Sequence, residues 1–444
     1  MSRVSETYID DTELILAVDQ GDISELAQEM QIIAQHWEQL LYTTGGALAL
    51  EKCFYVAFDW NFVNDQYVLK TKDELMGLNI ALYSGQNFRD YTLIPQKDPC
   101  NVARNLGARL VPSGNNIDEM SHLIQKGWTL SQNISASRLS RRKLMLAYKT
   151  MLQPAKKYPL CGTTFTAHEC EIIDRSYFST LLSNMGFNPM TKRLLFFDPP
   201  SLGCFGFTNT YTDQGISQVQ MLLSHLRHKD EIGHMIQIMI ENAQLAIGLS
   251  LCPLTYNPQV FIRYIESSWI TSVWEFLHSI KGHKYTWRNQ WELGIKRVHD
   301  QNLMDIWTHP ALNLASKELK RLNACRHFLQ VVTVADLCDA TGRFITSNIF
   351  KGNRHTDRRS SYKWPHQQKL SPVAWALWRK TLGRTISTPT GRLRIPLGNW
   401  LSRPIHQHWT FHLDMTKHRL VEQTEGDLYR IFSQGHTLRT FLCK

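Results

Sequence analysis

The stretch Tyr8-Ile9-Asp10-Asp11-Thr12-Glu13-Leu14 lies near the start of the chain and decides how the next hundred residues are interpreted. Two adjacent carboxylates, Asp10 and Asp11, follow an aromatic and a β-branched residue and precede the apolar run Leu14-Ile15-Leu16. This pattern predicts a tight β-hairpin whose tip presents both carboxylates to one divalent cation. A pair of aspartates is also a common solvated turn, so the residues that follow have to distinguish these interpretations.

An amphipathic helix is predicted directly after this hairpin. Asp22 is placed to cap it, with Glu25 as its capping-box partner, and Gly45-Gly46 ends it. The apolar residues that share one face of this helix are Leu26, Met30, Ile33, Trp37, Leu40 and Leu41. The spacing therefore predicts that this face packs on a core.

Two further segments complete the pattern. Lys52 precedes the run from Cys53 to Trp60, which alternates as a half-buried strand does. The residues on its apolar side are Phe54, Val56, Phe58 and Trp60. Farther on, Asn105 to Val111 is predicted to be another short strand that contains Leu106-Gly107, closed by turn residues from Pro112 onward.

In this order of elements the chain resembles a reverse transcriptase. In that family a Tyr-x-Asp-Asp turn carries two metal-binding aspartates, a lysine-bearing segment follows, and a Leu-Gly hairpin grips the primer end. The resemblance implies that Asp10 and Asp11 are catalytic ligands of Mg²⁺ and that Lys52 is the lysine of the following segment. It also implies that Leu106 and Gly107 contact nucleic acid. The implied activity is RNA-directed DNA synthesis, with an RNA template and a DNA primer as partners.

The resemblance continues into the thumb and connection of retrotransposon enzymes that lack long terminal repeats. It is carried by Arg138 to Arg142, Leu152 to Pro159 and Leu202 to Phe207. Relatives usually read Gly-Gly-Leu-Gly in the last of these, so Cys204 and Phe205 depart from the family pattern.

A basic helix is predicted in the thumb segment. Between Arg138 and Lys157 there are seven basic residues and no acidic one. They are Arg138, Arg141, Arg142, Lys143, Lys149, Lys156 and Lys157. The helix starts after Ser140, and its predicted packing face consists of Leu144, Ala147, Tyr148 and Met151. Lys and Arg contact phosphates without reading bases, so the resemblance implies a helix lying along nucleic acid; a solvated basic face is the alternative.

The family's earlier elements do not precede this hairpin in the sequence. Reverse transcriptases take another metal-binding aspartate from an earlier strand and place their fingers earlier still, whereas seven residues precede Tyr8. Two carboxylates on one turn leave the near-octahedral coordination of Mg²⁺ incomplete. We therefore expect an N-terminally truncated polymerase portion that is inactive as an isolated chain. The alternatives are a non-catalytic nucleic-acid-binding remnant and a helical protein without a retained function.

Composition sets the broad class. The chain has 444 residues, 43% of them hydrophobic, and a formal net charge of +10, which suits a folded protein of two to three domains. Its nine cysteines are scattered without a Cys-x-x-Cys pair, which is typical of free thiols in a reducing compartment. The sequence shows no membrane-spanning run and no signal peptide. We expect an intracellular protein of the nucleus or cytoplasm that has no membrane partner.

The predicted fold class is α+β, in five segments. Residues 1–115 form a partial polymerase palm of short antiparallel strands plus a helix, and 116–210 form the thumb and connection. Residues 211–340 form a helical domain, 341–370 a basic linker, and 371–444 a small C-terminal α/β or β-hairpin segment.

Local signals predict several helix ends in these segments. Thr166 and Glu169 form a capping box, and Gly186 ends that helix. A second helix is predicted from Gly215 to His228, and a third begins at Ser371-Pro372 and ends at Gly383.

Overall fold

The fold is described from a computed structural model of the chain. The residues that it describes are 2–8, 11–17, 22–63, 66–75, 77–83, 89–101, 103–105, 108–111, 114–188, 190–198, 200–280, 297–339, 342–353, 370–400, 409–414, 419–424, 428–433 and 436–442. The predicted basic linker lies largely outside them, since residues 354–369 are not described.

The chain divides into two compact units, residues 1–211 (unit 1) and 212–444 (unit 2). Both contain helices and strands, so the mixed α and β composition predicted from the sequence is confirmed. The five predicted segments are finer than this division and remain predictions. No helix in the described part of the chain is both long and apolar enough to cross a bilayer.

Unit 1 begins with short strands. They are β1 (Ser2–Tyr8), β2 (Asp11–Ala17), β3 (Tyr55–Val56), β4 (Trp60–Val63), β5 (Gln66–Leu69), β6 (Ala81–Tyr83), β7 (Tyr91–Leu93), β8 (Gln96–Lys97), β9 (Ala103–Asn105) and β10 (Ala108–Leu110). They form two-stranded ladders, antiparallel for β1–β2, β4–β5, β6–β7 and β9–β10 and parallel for β3–β8.

Two of the predicted strands differ from the structure. The run from Cys53 to Trp60 is divided because its first part, β3, pairs with β8 while Asp59 and β4 pair with Lys70 and β5. The predicted strand from Asn105 to Val111 is not one strand, because Asn105 ends β9 while Ala108–Leu110 is β10, and β9 and β10 pair with each other.

The predicted helix after the first hairpin is α1 (Ile23–Thr43). Asp22 caps it by accepting a hydrogen bond from the Ser24 N–H, and Gly45 follows in the left-handed region with φ +85°. Its buried face differs from the predicted one, because Leu40 is exposed while Glu38 is buried. Glu38 Oε2 accepts a hydrogen bond from the Tyr83 N–H of β6, so a polar contact with the strand edge orients the helix.

The rest of unit 1 is a helical bundle. Its helices are α2 (Ile117–Ala136), α3 (Arg141–Ala147), a π-helical segment (Tyr148–Leu152), α4 (Gln153–Lys157), α5 (Ala167–Asn184) and α6 (Leu194–Phe197). Gly127 lets α2 approach α5 closely, since a Cβ there would lie 2.8 Å from Ser176 Oγ. The predicted capping box of α5 is confirmed, with Glu169 N–H donating to Thr166 Oγ1 and Thr166 N–H to Glu169 Oε2.

The remaining helices of the chain lie in unit 2, apart from the first residues of α7. These are α7 (Thr210–His228), which begins in the last residues of unit 1, and α8 (Glu231–Ile247), α9 (Pro258–Phe261), α10 (Trp269–Ser279), α11 (Leu303–Thr308), α12 (Ser316–Leu329), α13 (Val334–Leu337), α14 (Ser347–Lys351) and α15 (Pro372–Thr385). Helix α7 starts before the predicted Gly215, because Asp174 Oδ2 accepts from the Thr210 N–H. Ser371 caps α15 as predicted, but the helix continues past Gly383.

Unit 2 packs its helices around three fully buried tryptophans, Trp274, Trp307 and Trp378. Its strands are β11 (Arg297–Val298), β12 (Asn399–Trp400), β13 (Trp409–Asp414), β14 (Arg419–Thr424), β15 (Leu428–Ser433) and β16 (His436–Leu442). Strands β13 to β16 form an antiparallel meander in sequence order, so the C-terminal segment combines α15 with a four-stranded sheet.

Candidate nucleic-acid interface

The predicted hairpin forms at the start of the chain. Tyr8 is the register partner of Asp11 across the antiparallel strands β1 and β2. Asp10 itself and the side chain of Asp11 lie outside the described residues. Within the part of the chain that the structure describes, no three His, Cys, Asp or Glu side chains form a group suited to a metal ion.

Lys52 ends a 3₁₀ turn, Leu50–Lys52, just before β3 and is exposed to solvent. Its place after α1 and before a strand agrees with the predicted order of elements. The described contacts do not join Lys52 to the β1–β2 hairpin, so a shared site for these residues stays a prediction.

Leu106 and Gly107 lie outside the described residues, between the antiparallel strands β9 and β10. Asn105 of β9 is the register partner of Ala108 of β10. This strand pair is anchored to the bundle by Glu119 in the first turn of α2, whose Oε2 accepts a hydrogen bond of 2.6 Å from the Arg109 N–H. Burial raises the pKa of Glu119, and the Arg109 N–H opposes this rise.

The predicted basic helix is present, but its geometry is unusual. Helices α3 and α4 are joined by the π-helical segment, in which the Gln153 N–H bonds to the Tyr148 carbonyl. Pro154 explains the wide turn, since proline has no N–H to donate and its ring clashes with the carbonyl four residues earlier. A π turn relieves this clash without ending the helix.

The π turn changes which residues face the core. The buried residues Leu144, Tyr148, Leu152 and Lys156 recur at every fourth position. On a regular α-helix such a stripe rotates by about 40° per step, and the wider π turn compensates for this rotation. The predicted core residue Met151 is therefore exposed, and Leu152 takes its place.

Lys156 is predicted to contact nucleic acid, and the structure places it in the core instead. Its side chain is only 4% exposed, and its Nζ lies 3.5 Å from Asp174 Oδ1. The ammonium also donates to the Tyr177 hydroxyl at 3.2 Å and to the Thr208 carbonyl at 3.3 Å. A buried charge needs such partners, so Lys156 stabilises the core and is not placed to contact a phosphate.

The other six predicted basic residues remain at the surface. Arg138, Arg141, Arg142, Lys143 and Lys149 are exposed and Lys157 is half-buried. Arg141 is partly engaged, because its Nε donates to the Met185 carbonyl and its guanidinium lies over the Phe187 ring. Ser140 holds the N-cap position without a side-chain cap hydrogen bond.

Three of these cations share one side of the helix. At about 100° per residue, Lys149 and Lys157 lie about 100° around the helix from Tyr148 and Lys156 of the buried stripe, and Arg142 lies about 160° from Leu144 on the same side. We call these three residues the basic ridge. At about 1.5 Å per residue the ridge extends over roughly 20 Å, which is long enough to follow several phosphates.

Sequence reasoning missed the two acids that organise this region, Glu119 and Asp174. Asp174 accepts hydrogen bonds from Tyr177 Oη, Thr210 Oγ1 and the Thr210 N–H. The sequence does contain a pattern that indicates a buried Asp174. It falls on the same helical face as Cys170 and Phe178, which are buried. An acid on an inward face predicts a buried cation nearby.

No family model, no curated protein and no solved structure matches this chain.

Proposed function

We propose that this protein binds nucleic acid through the basic ridge of unit 1, as the thumb of a reverse-transcriptase-like polymerase does. The observation that supports the proposal is the division of the basic residues of α3, the π-helical segment and α4 into a buried one and exposed or half-buried ones. Lys156, the cation on the inward face, is paired with Asp174, while Arg142, Lys149 and Lys157 lie away from that face.

The local sequence leaves this surface cationic. Residues 138–157 contain no Asp or Glu that would neutralise the ridge. The ion pair between Glu171 and Arg175 on α5 is satisfied within its own helix. Phosphates are the ligands that such a surface attracts, and the contacts carry no base specificity.

The test is the salt dependence of binding to a labelled DNA duplex. Each phosphate contact that is lost lowers the slope of log K against log salt by about 0.9 for duplex DNA. We expect the variant Arg142→Gln/Lys149→Gln/Lys157→Gln to lower the slope by about two to three units. Lys317→Gln, an exposed lysine on α12, is the matched control and should keep the wild-type slope.

Two results would contradict this function. One is an affinity that does not change with salt, and the other is a triple variant with the wild-type slope. Absence of any binding would favour a helical protein that retains no nucleic-acid role.

The second candidate is RNA-directed DNA synthesis, and the β1–β2 hairpin favours it. Tyr8 of β1 pairs with Asp11 of β2, and the adjacent carboxylates of Asp10 and Asp11 would together offer Mg²⁺ two of its six oxygen ligands. When bound, the ion would neutralise phosphate charge. Primer extension on an RNA template should then require Mg²⁺ and be lost in Asp10→Asn; a chain that extends no primer at any Mg²⁺ concentration would exclude this activity.

A further inference from the structure

Three aromatic side chains in unit 1 are exposed where the sequence predicts a buried face. Phe54 is 36% exposed, Phe58 43% and Trp60 54%. Tyr55, on the other side of the run, packs against the core, and its hydroxyl donates to the Leu78 carbonyl at 2.5 Å. Three of the four residues on the predicted apolar side are therefore exposed, and the fourth, Val56, is half-buried. We call Phe54, Phe58 and Trp60 the aromatic strip.

The strip is accompanied by cations. The Lys97 ammonium lies 3.5 Å from the centroid of the Phe54 ring, since the parallel pairing of β3 with β8 brings the two residues together. Lys52 is exposed two residues before Phe54. A ring beside an ammonium is held by the attraction between the cation and the π face.

The carboxylate within the strip is already paired. Asp59 Oδ2 forms an ion pair with Lys70, and its Oδ1 accepts from the Trp60 N–H. The Lys70 hydrogen bond holds the pKa of Asp59 below its usual range. Two acids adjoin these cations in the sequence: Glu51 precedes Lys52, and Asp98 follows Lys97. The oxygens of Asp98 accept from the backbone N–H groups of Lys72 and Cys100.

These features fit one class of ligand. Trp60 begins β4 and Phe58 lies two residues before it, a spacing that in an extended chain places side chains on one side about 6.7 Å apart. Flat exposed rings flanked by ammonium groups bind single strands, because bases stack on the rings and phosphates meet the cations. An apolar protein surface would remove the Lys97 ammonium from water, at a cost in free energy.

We propose that the aromatic strip binds single-stranded nucleic acid, with unpaired bases stacked on Phe58 and Trp60 and phosphates beside Lys52 and Lys97. This rests on the proposed nucleic-acid function and adds a second surface that distinguishes single strands from duplexes. Duplex bases are already stacked on each other, so the strip contributes nothing to duplex binding.

The test compares Phe58→Ala and Trp60→Ala with the wild-type full chain on a labelled oligothymidylate and on a hairpin duplex. Both side chains are exposed, so the substitutions leave the core intact. Each should weaken oligothymidylate binding by about five- to 150-fold, the range measured for loss of one base–aromatic stack. Duplex affinity and the salt slope on either probe should not change, because stacking releases no counterions.

Two controls separate stacking from other contacts. Trp60→Leu keeps an apolar side chain without a flat ring, and it should lose most of the affinity that Trp60→Ala loses. Leu202→Ala removes an exposed leucine elsewhere in unit 1 and should bind as the wild type does.

The outcomes also separate this inference from the proposed function. Salt-dependent binding that is the same in the wild type and in both alanine variants would overturn the aromatic strip and leave the basic ridge in place. Equal losses on single strand and duplex, or full binding by Trp60→Leu, would also overturn it. A wild-type chain that binds neither probe would overturn both proposals.

Discussion

The two units each bury a basic side chain in a helical core and stabilise it in different ways. In unit 1 Lys156 lies beside the carboxylate of Asp174. In unit 2 Arg326 is fully buried and donates to the Leu245 carbonyl at 2.6 Å and to the Ala246 carbonyl at 3.1 Å. It also donates to the Asn323 side chain and to the Val331 carbonyl.

The difference follows from the two cations. Lysine is a compact charge that is best balanced by a formal negative charge, whereas the planar guanidinium spreads five donors over several oxygens. Leu245 and Ala246 are at the C-terminal end of α8, so Arg326 serves as its cap. Gly248 permits this approach, because a Cβ there would lie 2.8 Å from the guanidinium carbon. Desolvation lowers the pKa of Arg326 to about 10, so it stays charged at neutral pH.

A basic residue is therefore free to bind phosphate only where the fold provides it with no buried acceptor. Because their acceptors differ, the two buried cations should respond differently to substitution.

The largest effect is expected for Arg326→Met. The change leaves the carbonyls at the end of α8 without their donor, and it should destabilise unit 2 by about 4–5 kcal/mol, as loss of one partner from a buried charged network does. The measurement is the free energy of unfolding from a denaturant titration. Lys320→Met, an exposed position on the same helix, should unfold as the wild type does, and a stable Arg326→Met would refute the capping role.

A smaller decrease in the free energy of unfolding, of about 3 kcal/mol, is expected for Asp174→Ala. This change leaves Lys156 charged and without its carboxylate partner. Glu171→Ala on the same helix is the control, because its ion pair with Arg175 is exposed. The double variant Lys156→Met/Asp174→Leu removes both charges and should recover most of the lost stability. No such rescue exists for Arg326, since its backbone acceptors cannot be removed; a double variant as unstable as Asp174→Ala would invalidate this contrast.

The smallest effect concerns the pH dependence of Glu119. Its pKa in the folded chain is raised by burial above the ordinary value of 4.5, so the folded state holds a proton in the window just above 4.5 where the unfolded state has released it. Stability therefore falls as pH rises through this window. Glu119→Gln keeps an acceptor for the Arg109 N–H without the charge. It should be more stable than the wild type at pH 7, with the difference shrinking as pH falls to 4.5. Thermal unfolding of both proteins between about pH 4.5 and 7 measures this difference in stability. A difference that does not change with pH would contradict the raised pKa of Glu119.

The signals that succeeded were local. Asp22, Thr166 with Glu169, and Ser371 cap helices where the sequence predicts, because a cap depends on a side chain and the backbone within three residues. The antiparallel pairing of β1 with β2 is local in the same sense, because the two strands are close neighbours in the sequence. The proposed role of this segment in catalysis and the resemblance to a polymerase remain predictions.

The predictions that were wrong concern residues whose neighbours in space come from distant parts of the chain. The exposed side of the run from Phe54 to Trp60 depends on Tyr55 reaching Leu78 and on β3 pairing with β8. The exposure of Met151 depends on a π turn, and periodicity at 3.6 residues does not contain that turn.

The caps at Asp22, Thr166 and Ser371, the excess of positive charge and the segment in which it concentrates follow from the sequence alone, because these properties belong to neighbours along the chain. That Lys156 faces Asp174, while Lys149 and Lys157 do not share its buried position, is a property of the folded chain. The cost of burying a charge is set by groups many residues away, which a chain brings together only when it folds.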